Sequence, residues 1–249
     1  MKRILTALTI IIFLLSNNLL SQNESFMGLS FGYVMPQGDF ASNDFSMEGA
    51  GYGTGGFLFA FDGAWFPDDY LGIGGTVTFI NANVDKVKYK QDVVDRFHEN
   101  YPGLINPDST EVKFDLGVWR LVNVMVGPHG TFHTGNFNFD FRTLVGFSFV
   151  FAPGSQLQIF HNEEQLFSTK RIKKASPNLG YTVGGGIRYA LQNSYVIRLT
   201  AEYTGTNATF ETTDEILVDE EITLVTTKTD FPINNFYIGL GIAYHFDMY

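Results

Sequence analysis

Large apolar residues alternate with small or polar residues along most of this chain, and the last segment before the C-terminus shows the pattern most clearly. Every second residue there is large and apolar, namely Phe236, Ile238, Leu240, Ile242, Tyr244 and Phe246. The intervening residues are mostly small or polar: Tyr237, Gly239, Gly241, Ala243 and His245. A period of two predicts a β-strand with one apolar face. Eleven residues at about 3.3 Å each, tilted by about 45°, cover roughly 25 Å, enough to cross the apolar layer of a membrane.

Eight segments show this alternation, and two kinds of connection separate them. The segments cover residues 27–34, 51–66, 71–79, 112–132, 137–151, 179–189, 195–203 and 235–246. Short turns follow the second, fourth and sixth segments, whereas long polar loops follow the others. Because successive strands alternate in direction, all long loops lie at one end of the predicted structure and both termini lie at the other. Short periplasmic turns opposite long extracellular loops are the rule in outer-membrane barrels.

The fourth segment has the least certain orientation, and its turn decides it. Pro128 predicts a bulge in this strand. A two-residue turn at residues 134–135 puts the side chain of Arg120 on the lipid-facing side, whereas a three-residue turn puts it inside the barrel. Both orientations remain open on the sequence alone.

The long loops carry one further structural prediction. In the loop at residues 81–110, three apolar residues at helical spacing predict a short surface helix over residues 91–100. The stretches at residues 152–176 and 204–234 are predicted to be long polar loops.

A soluble β-sandwich or lipocalin-like barrel would also have period-two strands. The composition of the two strand faces must therefore decide between a soluble fold and a membrane barrel. In soluble folds the large apolar face points inward and the charged face meets water. Here the second face is rich in Gly, Thr and Ala, which suits the crowded interior of a narrow eight-stranded barrel. Eight strands of Phe and Leu exposed to water would aggregate, whereas lipid requires such a surface. The predicted fold is therefore an all-β, eight-stranded, antiparallel, up-and-down transmembrane β-barrel.

The N-terminal residues predict export of the protein, and the composition argues against several kinds of function. Residues 1–22 combine Lys2 and Arg3 with an apolar stretch and a polar exit, which predicts a secretory signal peptide and a mature barrel domain at residues 23–249. Removal of the two basic residues changes the net charge from −10 to −12, and an acidic chain is not expected to bind nucleic acid. The chain has no Cys, which excludes a lipoprotein anchor, disulfides and thiolate metal sites.

Charged residues on the predicted inner face are the main candidate for chemistry. They are Asp62, Asp140, Arg142, Arg188, Arg198 and His245, with Glu202 placed farther from the short turns. One hypothesis is a proton relay or gate. The favoured hypothesis is a buried ion-pair network that plugs the lumen, because buried charges must be paired.

Other candidate sites are weaker, and no cofactor or metal site is predicted. The five His residues show no convincing spacing with a Ser or with two further ligands, although the segment at residues 161–164 has the residue types of a metal site. The basic segment at residues 170–174 has the charge to meet lipopolysaccharide phosphates. The acidic stretch at residues 211–230 has the charge to bind divalent cations, but it lacks EF-hand spacing.

Several motifs give the chain a family resemblance. It resembles the OmpA/OmpX-type eight-stranded outer-membrane barrels and, more closely, the PorT-like outer-membrane β-barrel domain. The motifs are Met35-Pro36-Gln37-Gly38-Asp39-Phe40, the Gly-rich strands, Gly127-Pro128, and Gly241, Tyr244 and Phe246 of the last strand. The last set resembles the signal read by the barrel-assembly machinery. That signal usually ends on an aromatic residue, and Phe246 fits the strand phase better than Tyr249.

The predicted barrel, its export signal and its even number of strands predict a location in the outer membrane with both termini in the periplasm, and the resemblance favours a structural or interaction role rather than an enzymatic one. That role is membrane integrity, adhesion, or accessory work in secretion, with lipid, lipopolysaccharide and a surface or secretion-system protein as partners. A lipid-modifying enzyme and a narrow passive pore are the alternatives.

Overall fold

A computed structural model describes residues 25–100, 110–161, 164–171, 175–191, 194–218 and 221–246. None of the helices in these ranges has the length and apolar character needed to cross a membrane. The predicted signal peptide lies outside the described residues and stays a prediction.

The described chain is almost entirely antiparallel β-structure. The strands are β1 (Ser25–Gln37), β2 (Gly53–Trp65), β3 (Leu71–Val84), β4 (Thr110–Leu116), β5 (Trp119–Thr134), β6 (Phe137–Phe151), β7 (Ser155–His161), β8 (Glu164–Arg171), β9 (Ala175–Ala190), β10 (Tyr195–Val218) and β11 (Glu221–Phe246). A 3-10 helix (Gly38–Ala41) follows β1, and α1 (Lys86–Asn100) follows β3.

Eight of these strands close into a ring. Their order around the ring is β1, β2, β3, β5, β6, β9, β10 and β11, and every neighbouring pair is antiparallel. The first and last strands close it, with Ser25 opposite Phe246 and Gln37 opposite Asn234. The predicted eight-stranded, up-and-down transmembrane barrel is confirmed.

The outer face of the ring is apolar, and its ends are aromatic. Exposed side chains of the closing strands include Leu29, Phe31, Leu240 and Ile242. Trp65, Tyr195 and Tyr244 are exposed near the short turns, and Tyr33 and Tyr181 are exposed near the other end. Aromatic belts flanking an apolar band are typical of barrels embedded in lipid.

The ring wall rises to different heights on its two sides. On one side, β1, β2 and β3 meet loops at Gln37, Gly53 and Val84. On the other side, β4 and β7 continue the β5–β6 hairpin in the same register, since Arg120 pairs with Phe151 and Leu116 pairs with Ser155. Strand β8 pairs with both β7 and the far part of β10.

We call the part beyond the ring the crown. It comprises β4, β7, β8, residues 207–218 of β10, residues 221–233 of β11, the loop at residues 38–52 and α1. In the crown, β4, β7, β8, β10 and β11 form one antiparallel wall, which we call the tall wall.

The crown corrects two of the predicted loops. The stretch at residues 204–234 is not an irregular loop, because residues 206–218 pair with residues 221–233 as a hairpin. The stretch at residues 152–176 contains β7 and β8. Both were missed because these segments lack the apolar alternation that lipid imposes on the ring.

The fourth predicted segment also needs correction. It consists of two strands, β4 and β5, separated at residues 117–118. No register shift accompanies Pro128, so the predicted bulge is wrong; the irregularities lie instead between Thr54 and Gly56 and between Ile159 and Phe160. Residues 135–136 form a two-residue turn with Gly135 at φ +60°, and Arg120 lies exposed on the outer face.

The predicted surface helix exists but begins earlier. Helix α1 starts at Lys86 rather than at residue 91. The Asp85 carboxylate accepts a hydrogen bond from the Lys88 backbone N–H at 3.0 Å, which is the contact of a helix N-cap. Because of this N-cap, the helix begins about two turns before Val93, Val94 and Phe97, the apolar residues that predicted it.

Candidate functional site

The interior of the ring has three layers. Nearest the short turns lies an apolar cluster of Phe26, Ala64, Phe66, Val196 and Ala243. Nearest the crown lies a larger apolar cluster that includes Val34, Leu58, Ile80, Leu121 and Tyr237. Buried charges lie between the two clusters: Asp62, Asp140, Arg142, Arg188, Arg198 and Glu202.

The charged group nearer the short turns is centred on Arg188, which is fully buried. Its Nε lies 2.8 Å from Oδ2 of Asp140, and its Nη2 donates to Oδ1 of Asp140 at 2.9 Å and to the hydroxyl of Thr131 at 3.1 Å. The guanidinium also stacks over the ring of Phe26 at 4.3 Å. A two-pronged contact of this kind is the strongest geometry available to an Arg–carboxylate pair.

The second charged group links two carboxylates through two guanidiniums. Asp62 pairs with Nη1 of Arg198 and lies 3.7 Å from Nη1 of Arg142. Nε of Arg142 lies 2.5 Å from Oε1 of Glu202, and the hydroxyl of Tyr237 donates to the other oxygen of Glu202. Each buried carboxylate therefore has a cationic partner.

The charges balance, and glycine makes room for them. Three carboxylates (Asp62, Asp140 and Glu202) face three guanidiniums, so the formal charge of the six groups is zero. Gly184 of β9 lies opposite Arg142 on one side and Glu202 on the other. A Cβ at position 184 would lie 2.7 Å from Cγ of Glu202, so a side chain there would collide with the carboxylate that Arg142 needs.

The structure brings five of the six predicted lumen residues into these groups: Asp62, Asp140, Arg142, Arg188 and Arg198. His245 does not join them. It is half-buried at the short-turn rim, and its Nε2 has no hydrogen-bond partner within the described part of the chain. Glu202, predicted to lie apart, bonds directly to Arg142.

His129 is the lumen residue that the sequence analysis missed. It is buried opposite Arg142, and its Nε2 lies 3.6 Å from Oδ1 of Asp140. Its ring packs edge-on against Phe26 and Phe66. The alternation of faces, followed back from the turn at residues 135–136, places the side chain of His129 inside the barrel. A bulge at Pro128 would have reversed the faces beyond it, so the predicted bulge hid this assignment.

The residues of the predicted assembly signal all lie on β11. Tyr244 is exposed on the outer face, Gly241 lies on the inner face, and Phe246 is half-buried opposite Ser25. Their role as a signal stays a prediction, and Tyr249 lies outside the described residues.

The crown encloses a second interior feature, a half-open cavity of about 270 Å³. One side of it comes from the loop at residues 38–52 and from α1; the other comes from the tall wall. Its aromatic lining consists of Phe45, Tyr52, Tyr89, Trp119, Phe210 and Phe231. We call this space the crown cavity.

The aromatic rings of the crown cavity form two groups. On the loop and helix side, Tyr52 contacts Tyr89 at a centroid distance of 5.0 Å, and Phe45 lies 6.5 Å from Tyr52. On the tall-wall side, Trp119 lies 5.2 Å from Phe231 and 6.1 Å from Phe210. The cavity is therefore flanked by rings that already contact one another within each group.

Tyr52 holds the loop side in place. Its φ is +51°, a left-handed conformation that is costly for a residue with a side chain. Its backbone bonds to Ser42 and Asp85, and its hydroxyl donates to Asp92 of α1 at 2.8 Å. Across the cavity, Nε1 of Trp119 donates to the carbonyl of Gly51 at 2.9 Å, which ties the loop to the start of β5.

The hydrogen bond between Tyr52 and Asp92 continues to Lys88, and the pKa values of all three groups are shifted. Burial raises the pKa of the Tyr52 hydroxyl well above its ordinary value, and the bond to Asp92 raises it further. Burial alone would raise the pKa of Asp92, but hydrogen bonds from Lys88 at 2.6 Å and from Tyr52 outweigh it and hold that pKa below its ordinary value. The bond to Asp92 raises the pKa of Lys88.

Several candidates from the sequence cannot be placed by geometry. The side chains of His161 and of the basic segment at residues 170–174 lie outside the described residues. In the acidic stretch, Glu211 and Asp230 are exposed, and the side chains at residues 212–225 lie outside the described residues. Within the described ranges, no group of three or more His, Asp or Glu has the geometry of a metal site.

Comparisons with known proteins agree in shape only. No family profile and no curated protein sequence matches the chain. Solved structures with the same general shape include Ail, the attachment invasion locus protein of Yersinia pestis, which is 12% identical over 90% of this chain and 99% of that chain, with a TM-score of 0.39. A major outer membrane protein from Thermus thermophilus is 12% identical over 89% of this chain and 99% of that chain, with a TM-score of 0.45.

The outer membrane protease OmpT from Escherichia coli is 9% identical over 93% of this chain and 99% of that chain, with a TM-score of 0.41. The matched structures include an attachment protein and a protease. The likeness therefore selects no function for this chain.

Proposed function

We propose that this chain is an integral outer-membrane protein with an interaction role, in which a plugged barrel anchors the crown at the cell surface. In this arrangement the short turns and both termini face the periplasm. The crown then extends from the outer leaflet and is the part that meets partners. Adhesion or accessory work in secretion fits this arrangement better than transport does.

The observation that supports the proposal is the filled interior of the ring. Six buried charges of zero formal sum lie between two apolar clusters, and their closest contacts are direct ion pairs. A conducting lumen needs polar side chains that face water, whereas these side chains face one another. The elaborated surface of the molecule lies instead in the crown.

Fractionation and gel migration test the anchored arrangement. We expect the protein in the outer-membrane fraction, migrating faster before boiling than after it, as a folded barrel does. Recovery as a soluble periplasmic protein would overturn the proposal. Protease added to whole cells should cut crown peptides and spare the strands of the ring; cleavage only after the outer membrane is permeabilised would reverse the proposed orientation.

A deletion strain separates the interaction role from a lipid-modifying enzyme. Among the described side chains, both ring nitrogens of His129 and Nε2 of His245 have no hydrogen-bond partner, so none of these three nitrogens is bonded to a serine hydroxyl as a Ser–His–carboxylate site requires. We expect an unchanged lipid A profile in the deletion strain. A changed profile that is restored by complementation would favour the enzyme.

Insertion by the barrel-assembly machinery is part of the proposal. We propose that Phe246 is the terminal aromatic residue that this machinery reads. Phe246→Ala should lower the yield of heat-modifiable barrel more than Tyr249→Ala does. Equal yields of the two variants would remove Phe246 from this role.

A further inference from the structure

An apolar cluster separates the crown cavity from the charged lumen, which favours a binding site over a passage. Leu116 and Trp119 are buried beside it and belong to the same apolar cluster that fills the upper end of the ring. Below that cluster lie the paired charges of the lumen. A molecule in the crown cavity therefore has no direct path into the lumen.

The aromatic lining defines the shape of an occupant. Rings from the loop, from α1 and from the tall wall flank the cavity on both sides. Aromatic faces and edges pack best against another flat ring, at centroid separations of about 4.5–7 Å. A volume of about 270 Å³ is at the lower limit for ligand pockets, so it suits a molecule with one or two rings.

Arg96 defines the charge of that occupant. It lies at the cavity on α1, and its Cζ stacks 4.7 Å from the centre of the Phe45 ring. Within the described part of the chain it has no carboxylate within ion-pair distance, unlike Lys88 about two turns earlier on α1, which pairs with Asp92. Stacking on a ring leaves the in-plane N–H donors of a guanidinium available for a carboxylate.

Hydrogen bonds also hold the walls of the cavity in place, as in a preorganised binding site. Tyr52 is kept at a positive φ by three hydrogen bonds, with Ser42, Asp85 and Asp92, and the bond from Trp119 to Gly51 fixes the loop to the start of β5. Strained residues that the surrounding structure holds in place are concentrated at ligand clamps. Glu48, which is exposed, is the one carboxylate among the described residues that line the cavity, and it would oppose an anion.

We propose that the crown cavity binds a small aromatic carboxylate, with the ring between the two aromatic groups and the carboxylate on Arg96. This inference rests on the proposed surface location of the crown. Binding of such a molecule would join the loop, α1 and the tall wall, which are three separate parts of the surface that partners meet.

Trp119 makes the proposal measurable, because the chain has only two Trp residues. The other, Trp65, is 45% exposed on the outer face near the short turns. In a Trp65→Phe background, Trp119 is the only indole. Folded barrel in detergent is titrated with 4-nitrobenzoate, a quencher, and in parallel with neutral nitrobenzene and the cation 4-nitrobenzyltrimethylammonium.

We expect saturable quenching of Trp119 by 4-nitrobenzoate, and tighter binding of this anion than of the neutral or cationic analogue. Arg96→Gln should weaken binding of 4-nitrobenzoate by about tenfold, the effect of one charge-assisted contact, and leave nitrobenzene within about twofold. Arg120→Gln removes the same charge at an exposed site that does not line the cavity, so it should change neither.

Ala152→Phe places a ring inside the cavity and should abolish saturable quenching without touching Arg96. Non-saturable quenching, equal quenching in the Ala152→Phe variant, or preference for the cation would each overturn the proposal. Heat-modifiable migration of every variant shows whether it has folded. Loss of binding by folded, surface-accessible protein contradicts only the cavity proposal, whereas absence from the outer membrane contradicts the proposed function itself.

Discussion

The lumen and the crown cavity are two interior regions that differ in whether their charged side chains are paired. In the lumen, three guanidiniums and three carboxylates are buried, and each has a partner of opposite sign. In the crown cavity, Arg96 is exposed and stacks on an aromatic ring, with no carboxylate at ion-pair distance among the described residues. Strands of one continuous antiparallel sheet line both regions, and the loop at residues 38–52 and α1 complete the crown cavity.

This difference separates charges that serve the fold from a charge that is available to a ligand. Burying a charge costs several kcal/mol unless a partner offsets it, so lumen charges that pair completely maintain a closed barrel. An exposed guanidinium costs little to leave unpaired, and it stays free to bind an anion. Substitutions should therefore have their largest effects in the lumen and smaller, local effects in the crown.

The largest expected effect follows from removing Arg188. Arg188→Leu leaves Asp140 buried with only His129 nearby, and breaking a buried pair in this way costs about 3–5 kcal/mol. Urea unfolding of the folded barrel in detergent measures the loss. The double variant Arg188→Leu/Asp140→Leu should recover much of the stability because no unpaired charge remains. A double variant as unstable as the single one would contradict the pairing.

A smaller effect is expected at Glu202. Glu202→Gln removes the charge that Arg142 contacts at 2.5 Å but keeps the shape, and Asp62 remains as a second partner. The expected loss is about 1.5–3 kcal/mol, the range for a hydrogen bond to a charged group. Glu211→Gln makes the same chemical change at an exposed position of the same strand and should be neutral within about 0.5 kcal/mol.

In the crown, Tyr52→Phe should loosen α1 without affecting the ring. The variant loses the hydroxyl that donates to Asp92, a bond worth about 1 kcal/mol because Lys88 still pairs with the carboxylate. We expect faster hydrogen exchange in α1 and an unchanged midpoint of barrel unfolding. Tyr33→Phe, on the exposed outer face, is the control and should change neither quantity. A lowered barrel midpoint would show that crown and ring are energetically coupled.

The smallest effect is a response of the crown to acid. The pKa of Asp92 is lower in the folded state than its ordinary value, so its contribution is present above about pH 4 and is lost as the pH falls through the folded pKa. The protection factors of the α1 amides, which correct for the intrinsic pH dependence of exchange, should fall below about pH 4. Asp92→Asn should abolish this pH dependence. The titration of Asp44 should be unchanged in this variant; the pKa of Asp44 is also lowered, in its case by hydrogen bonds from Ser46.

The ring was predictable from the sequence because lipid imposes a simple rule. Along every strand, side chains point alternately to the lipid and into the crowded lumen. In β6, Phe139, Phe141 and Phe147 therefore lie on one face, and Asp140 and Arg142 lie on the other. Five of the charged lumen residues follow from the same alternation. Their individual partners do not, because Glu202 and Arg142 meet across β9 only where Gly184 leaves space.

The crown was not predictable because water surrounds much of it. The hairpin at residues 206–233 includes Thr226, Thr227 and Thr229, which have strand propensity but no apolar alternation. The crown cavity draws on residues as distant in sequence as Phe45, Trp119 and Phe231. No local pattern marks such a set, and only the packing of the tall wall against the loop and α1 brings it together.

Planar-bilayer conductance of the folded wild-type barrel is the most direct test of the central claim, that the lumen is closed by paired charges. The account predicts a sealed bilayer with no steady conductance at neutral pH, even though heat-modifiable migration shows that the barrel is folded. A steady, unitary conductance from the same preparation would contradict it, because ions cannot pass a lumen whose charged side chains remain bonded to one another.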